Sequence, residues 1–284
     1  MILAIIQGLA EFIPVSSSGH LIVVRRLLGW NELSPAHELT FDIALHAGTL
    51  ISVLAYFWRT WMQIIRAALG GKVVRFSESG DTGRDLTPEE TRRERLLLWF
   101  MVAATIPGAI AGKLLEHSAE DYFRSHLTLI AAALIVVGVI MWWGEKYGSF
   151  RKPLPDITLG DSIVIGCAQA TALIPGVSRS GSTITAGLFR NLTRDAAVRF
   201  SFLLATPIIA GAAVLKAHEI HKEGIPPDMR VPFIVGIAVS AIVGYIAIAW
   251  LMRYLRTKTL TIFIVYRIIF GIIVLALAYS AHLH

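Results

Sequence analysis

The sequence predicts an all-α integral membrane protein with six transmembrane helices and two re-entrant helix hairpins in an inverted-topology repeat. Three observations carry that prediction. Of 284 residues, 55% are apolar and 16% charged, with a mean hydropathy of +0.64; soluble domains carry roughly 25% charged residues. Several apolar runs approach the ~20 residues that a helix needs to cross a bilayer. Two short stretches, IPVSSSGH (Ile13 to His20) and IPGVSRSGST (Ile174 to Thr183), interrupt apolar runs with proline, glycine and clustered hydroxyls.

In chain order, residues 1–12 form an apolar helical stretch that Pro14 ends, and residues 19–28 a second one. Each is about half a span, so the pair reads as a re-entrant hairpin, tolerated where its backbone lines a protein cavity. Residues 1–12 lack a basic leader and a small-residue cleavage site, and so are expected to be structure and not a signal peptide. Full spans are expected at 41–58, 96–115 and 127–143, with a polar loop over 60–95 and a turn-rich linker, EKYGSFRKPLPD, after Trp143.

The second half follows the same plan. Residues 162–174 and 182–190 make another broken pair, and spans follow near 200–216, 232–251 and 261–280. With Gly176 taken as an insertion, V-S-S-S-G-H matches V-S-R-S-G-S at four of six positions, and Val15 and Val177 lie 162 positions apart. The expected organisation is one membrane domain over 1–284, with a first repeat at 1–145 and a second at 160–284. Three spans per repeat is an odd number, so the second repeat enters the membrane inverted. Alternating the loops puts 14 Lys and Arg on one side against 4 on the other, which predicts an external N-terminus. Arg25 and Arg26 count against that orientation.

A net charge of +6 does not point to nucleic acid, because the basic residues sit in loops between spans, where the positive-inside rule puts them. Cys167 is the only cysteine, so no internal disulfide forms. Walker A, HExxH, GxGxxG and cysteine-pair metal motifs are absent from the sequence.

Inverted repeats with broken helices place their site where the hairpin tips meet. Ser16, Ser17 and Ser18 stand before one half-helix, and Ser178 and Ser180 before the other. Free N–H groups and the helix dipole make such termini favourable for an anion. Arg179 strengthens that reading, since a charge at membrane depth costs roughly 2.5–3.5 kcal/mol on insertion scales and calls for an anionic partner. Its guanidinium fork suits phosphate. Glu11 lies in an apolar helix, with Gln7 one turn earlier on the same face. It either pairs with Arg179 as a buried salt bridge or orients His20. Ser17 beside His20 makes a nucleophile and base, although His20 can also attack phosphorus itself. Asp42 and His46 open the first full span, as interfacial residues or as supports of the site.

The two tips resemble those of the undecaprenyl-pyrophosphate phosphatase family, the bacitracin-resistance type of bacterial membrane phosphatase. The family's (E/Q)xxxE, PVSSxGH and PGxSRSxxT signatures read here as QGLAE (Gln7 to Glu11), PVSSSGH (Pro14 to His20) and PGVSRSGST (Pro175 to Thr183). FDIALHAGT and the Tyr266–Arg267 pair also look like the family. The resemblance implies hydrolysis of undecaprenyl diphosphate to the monophosphate, a peptidoglycan lipid carrier. It implies Glu11, Ser17, His20 and Arg179 as catalytic residues, with Gln7, Ser16, Ser18, Ser178, Ser180 and Thr183 around the phosphate. It also implies a divalent cation, Mg2+ or Ca2+, near Glu11, although Gln7 removes one carboxylate from that helix. The implied setting is the bacterial cytoplasmic membrane, with the site opening outward and membrane lipids and a homodimer as partners. The rival class is a lipid-phosphate transporter or flippase using the same anion site.

Overall fold

Proline, glycine and hydroxyl residues set the helix ends. In the computed structural model, which describes residues 1–30, 35–71, 74–75, 84–223 and 229–280, the chain is almost wholly helical. Helix α1 (Ile2–Phe12) stops before Pro14, and α2 (Ser17–Leu28) starts directly behind the Ser16 cap. It ends on Gly29 in the left-handed conformation, with Arg25 and Arg26 in the last turn against the dipole. Helix α3 (Pro35–Tyr56) leads into α4 (Trp58–Ala68), and a ribbon of two short strands, β1 (Val74–Arg75) and β2 (Arg84–Asp85), follows. Helix α5 (Pro88–Ser125) opens with a Thr87–Glu90 capping box and proline in its first turn. The rest are α6 (Leu127–Tyr147), α7 (Leu159–Ala170), α8 (Arg179–Phe189), α9 (Arg194–Glu223), α10 (Arg230–Tyr254) and α11 (Thr261–Tyr279).

Five helices are long and apolar enough to span: Pro88–Leu114, Leu127–Tyr147, Arg194–Leu215, Arg230–Tyr254 and Thr261–Tyr279. Thr40–Tyr56 with α4 makes a sixth that bends by 73°. The protein is a multi-pass, all-α membrane protein. Helix α4 lies, from Thr60 onward, within the stretch expected to be a polar loop. Its apolar residues are divided between a buried face (Ile64, Ala67) and an exposed one (Trp58, Met62, Ile65), so average hydropathy hides it. Helix α5 begins eight residues before the expected span, because the capped first turn carries its charged residues into solvent.

The broken pairs are packed crosswise. Helix α1 lies on α10 and α7 lies on α5, while α3 meets α10 and α9, and α6 meets α11. Small residues let these helices approach closely. A Cβ on Gly8 would sit 2.8 Å from Val243 Cβ, one on Gly48 2.0 Å from Ser240 Oγ, and one on Gly166 2.3 Å from the Ala104 carbonyl oxygen. The Ser52 hydroxyl donates across to the Ala241 carbonyl at 2.7 Å, and Ser240 donates to the Leu45 carbonyl at 3.0 Å. Phe12 meets Phe202 of α9 edge to face at 5.2 Å, which fixes the end of α1 against the second half.

Arg25, which ran against the charge count, is buried and held bidentately by Asp42 at 2.9 and 2.5 Å. A neutralised pair inside the bundle is not a loop charge, so the positive-inside tally does not apply to it. The linker between the halves is pinned at buried Asp161, which accepts from Lys152 Nζ at 2.7 Å and Arg190 Nε at 2.8 Å.

Candidate active site

Ser16 and Ser178, the residues before α2 and α8, both have positive φ, at 77° and 72°. Non-glycine residues adopt that region rarely and at a cost, and such strain collects at functional sites. Each serine hydroxyl accepts from the backbone N–H three residues on, Gly19 at 3.3 Å and Gly181 at 3.1 Å. The Ser16 and Ser18 hydroxyls lie 3.4 Å apart and those of Ser178 and Ser180 3.3 Å apart, so the cap and the hydroxyl pair recur in both tips. They also touch: a Cβ on Gly19 would lie 3.5 Å from Gly176 Cα.

Arg267 of α11 clamps the tips together. Its side chain is fully buried, and it donates to the carbonyls of Pro14 at 3.2 Å, Gly176 at 2.8 Å and Val177 at 3.0 Å. These contacts occupy carbonyls that the broken helices leave without partners. Gly176, at φ 97°, brings its backbone under Ile130, where a side chain would collide at 2.7 Å with the Ile130 carbonyl oxygen.

Glu11 is the hub on the open side of the tips. Its Oε1 accepts from Arg179 Nη2 at 2.9 Å, and its Oε2 accepts from Ser17 Oγ at 2.7 Å and Gln7 Nε2 at 3.1 Å. His46 Nε2 stands 3.4 Å from the same Oε2, with its Nδ1 donating to the Asp42 carbonyl at 2.8 Å. The second guanidinium nitrogen of Arg179 donates to the Ser201 carbonyl at 3.3 Å. Its Nε is buried without a hydrogen-bond partner among the described residues. Glu11, Ser17, Gln7 and Arg179 therefore converge from both tips.

His20 does not join them. Its Nδ1 meets the Ser16 carbonyl at 2.7 Å and its Nε2 the Tyr266 hydroxyl at 2.7 Å, and its ring stacks on Phe270 at 4.2 Å. The expected Glu11–His20 partnership is thus corrected: the carboxylate takes Arg179, and His46 stands where a histidine partner was sought. The reason lies in helix phase, since the carboxylate faces α3 and α8 while the imidazole faces α11. Thr183 also turns inward. Its buried hydroxyl donates to the Arg179 carbonyl at 2.7 Å and lies 2.6 Å from Ser201 Oγ, so it supports the tip and does not face the opening. Ser16, Ser178 and Ser180 are buried as cap and bracket, whereas Ser17, Ser18 and Arg179 stay partly accessible.

His46 and Arg267 also belong to this constellation, although the sequence offered His46 only as an interfacial residue or a support and Arg267 only as part of the family-like Tyr266–Arg267 pair. Arg267 carried a signal, being a charge in an otherwise apolar span. His46, one turn after Asp42, carried almost none.

These features define a polytopic membrane protein in which two helix N-termini face each other, one bearing a carboxylate-linked serine and the other an arginine. The chain belongs to the family described as Bacitracin resistance protein BacA, whose model matches residues 1–273. It is 46% identical over 276 residues to the undecaprenyl-diphosphatase of Trichlorobacter lovleyi, covering 97% of this chain and 95% of that protein. The undecaprenyl-diphosphatases of Pelotomaculum thermopropionicum (44% over 278 residues; 98% and 95% covered) and Moorella thermoacetica (42% over 276; 97% and 95%) are similar to it over the same extent.

Proposed function

We propose that the chain hydrolyses undecaprenyl diphosphate to undecaprenyl phosphate and inorganic phosphate, recycling a carrier lipid for peptidoglycan synthesis and conferring bacitracin resistance. The common name of its relatives supports this reading. The observation that carries it is the Ser17–Glu11 contact: a hydroxyl in the first turn of a helix donates at 2.7 Å to a carboxylate that the facing tip's Arg179 holds at 2.9 Å. A nucleophile, a proton acceptor and a phosphate-binding cation meet where a helix terminus already favours an anion.

In this mechanism the diphosphate draws Arg179 from Glu11 onto its own oxygens, so the guanidinium offsets charge on the transferring group. Ser17 Oγ attacks the terminal phosphorus and its proton passes to Glu11. The Oγ–P bond forms as the bond to the bridging oxygen breaks, and the prenyl monophosphate leaves with the electron pair. Water then attacks the phosphoserine as Glu11 returns its proton to Ser17 Oγ, which leaves with the electron pair of the broken P–Oγ bond. Inorganic phosphate departs with the proton lost by the attacking water going to solvent, so Ser17 and Glu11 end protonated and ionised as they began. Positioning and charge stabilisation do most of this work, as phosphoryl transfer requires.

A divalent cation fits this site only as a companion of the substrate. Each oxygen of Glu11 already accepts from a donor, and among the described residues no group of three or more His, Cys, Asp or Glu could hold a metal. Such an ion would sit mainly on diphosphate oxygens, with Glu11 beside it. The setting is the bacterial inner membrane with the site opening to the outer side, which the loop charge asymmetry supports. A homodimer is compatible with this, since every site residue comes from one chain.

The test is phosphate release from a prenyl diphosphate by purified protein in detergent, where no transmembrane gradient exists. A lipid-phosphate transporter would release none. Ser17→Ala should abolish release, and a trapped phosphoenzyme should map to Ser17. Label on His20, or near-normal turnover by Ser17→Ala, would overturn the serine step.

A further inference from the structure

His20 is held on three sides in a way the phosphatase reading does not use. A carbonyl oxygen can only accept, so the 2.7 Å contact with Ser16 places a proton on Nδ1 of the imidazole. In the neutral ring Nε2 is then the lone-pair nitrogen, and it accepts from the Tyr266 hydroxyl at 2.7 Å. Phe270 lies parallel to the imidazole at 4.2 Å and 10°, and the Tyr266 ring is parallel to it at 5.7 Å and 8°. Both aromatics come from α11, one turn apart, and so fix the ring plane as well as the tautomer. Unlike His20, Tyr266 is 45% exposed at the outer surface of the bundle.

We infer that Tyr266 is a positioning residue for His20, and that its phenol links the imidazole to the lipid-facing side through a hydrogen bond that can run in either direction. With His20 neutral, the phenol donates to Nε2, and that nitrogen is occupied. With His20 protonated, Nε2–H donates to the phenolic oxygen, which frees the phenol's own O–H to turn outward. Its acceptor there is a phosphate oxygen of the prenyl diphosphate, whose chain must approach from lipid. Proton uptake by the histidine and an outward donor for the anion are thereby one event. The parallel rings suit this, because a cationic imidazole over an aromatic face is stabilised. Arg267, next to Tyr266 in the chain, is committed to the tip carbonyls and supplies no outward donor.

The inference rests on the phosphatase reading for its kinetic arm but not for its spectroscopic one. Tyr266→Phe keeps the ring and the stack and removes only the hydroxyl. Its kcat should fall about tenfold with KM within about twofold, the loss expected for one hydrogen bond felt in the transition state. In protein carrying nitrogen-15 histidine, the His20 Nε2 resonance should move in Tyr266→Phe to that of an imine nitrogen without a donor, while Nδ1 stays protonated. A melting temperature matching the parent would confirm that the variant is folded. Parental kcat in Tyr266→Phe, or an unmoved Nε2 resonance, would overturn the inference. Absence of phosphate release by the parent protein would instead sink the phosphatase reading, and the resonance shift would still report on the His20–Tyr266 bond.

Discussion

Ser16 and Ser178, 162 residues apart in sequence, have nearly the same left-handed backbone and cap the same position of their helices, with φ values of 77° and 72°. A duplicated strain is harder to attribute to local accident than a single one. It gives each tip a sharp entry, so that the first N–H groups of α2 and α8 stay free of intrahelical partners. Ser178→Ala should lose the cap and keep the strain, lowering stability by about 1 kcal/mol, whereas Ser178→Gly should lose only a few tenths, since glycine accepts positive φ. Thermal unfolding in detergent ranks the two, and the reverse order would contradict the strained-cap account.

Glu11 neutralises Arg179 in the resting site, which sets up a separation between binding and turnover. Glu11→Gln should lower phosphate release by about 10²–10⁴-fold, the range for a lost proton acceptor. It should also raise affinity for inorganic phosphate by about tenfold, because a like charge is removed and the guanidinium released. Product-inhibition constants measured beside single-turnover rates would show both. Weaker phosphate binding in Glu11→Gln would mean that the carboxylate serves the anion indirectly, for instance through a cation.

Arg267 faces no opening, so its removal should act through structure. Arg267→Met leaves the carbonyls of Pro14, Gly176 and Val177 without their donor. At about 1–3 kcal/mol for each buried group left unpaired, several kcal/mol of stability should go. The melting temperature should fall sharply and phosphate release with it. A variant that melts like the parent but is inactive would place Arg267 in the chemistry instead.

Close helix approaches offer a test remote from the site. A methyl group at Gly166 would meet the Ala104 backbone at 2.3 Å, and one at Gly48 would meet the Ile237 carbonyl oxygen at 2.4 Å. Backbone cannot swing aside, so Gly166→Ala and Gly48→Ala should each cost about 1–3 kcal/mol. Gly112→Ala, where nothing lies within 4 Å, should melt like the parent.

Orientation can be read chemically. Cys167 is exposed and is the sole cysteine, so a Cys167→Ala background clears the way for single engineered thiols. A thiol in 216–231 should react with a membrane-impermeant reagent on intact cells, and one in 59–95 should not. The opposite pattern would reverse the sidedness proposed from the loop charges.

The sequence carried the fold through its longest signals: apolar runs of span length, prolines that stop helices, and two tips sharing four of six residues. It carried the members of the site less evenly. Glu11, Ser17 and Arg179 stand out because charge or clustered hydroxyls are costly inside a bilayer. Their partners are set by helix phase and by which helices cross, neither of which is local. Glu11 and His20 lie on neighbouring helices of one hairpin and still face apart, one toward Arg179 and the other toward Tyr266. His46 was masked by its place near the start of a span, where polar residues are ordinary. Helix α4 was masked because its two apolar stripes are diluted by Arg59, Gln63 and Arg66.

The guanidinium of Arg267 holds Pro14 of one hairpin and Gly176 and Val177 of the other, with Gly19 packed against Gly176 between them. In repeat proteins that work by rocking, the two halves pivot where their tips meet. Here the meeting point is bridged from a third helix, by one buried side chain bonded to both tips. Parting the tips would break three buried hydrogen bonds to one guanidinium at once.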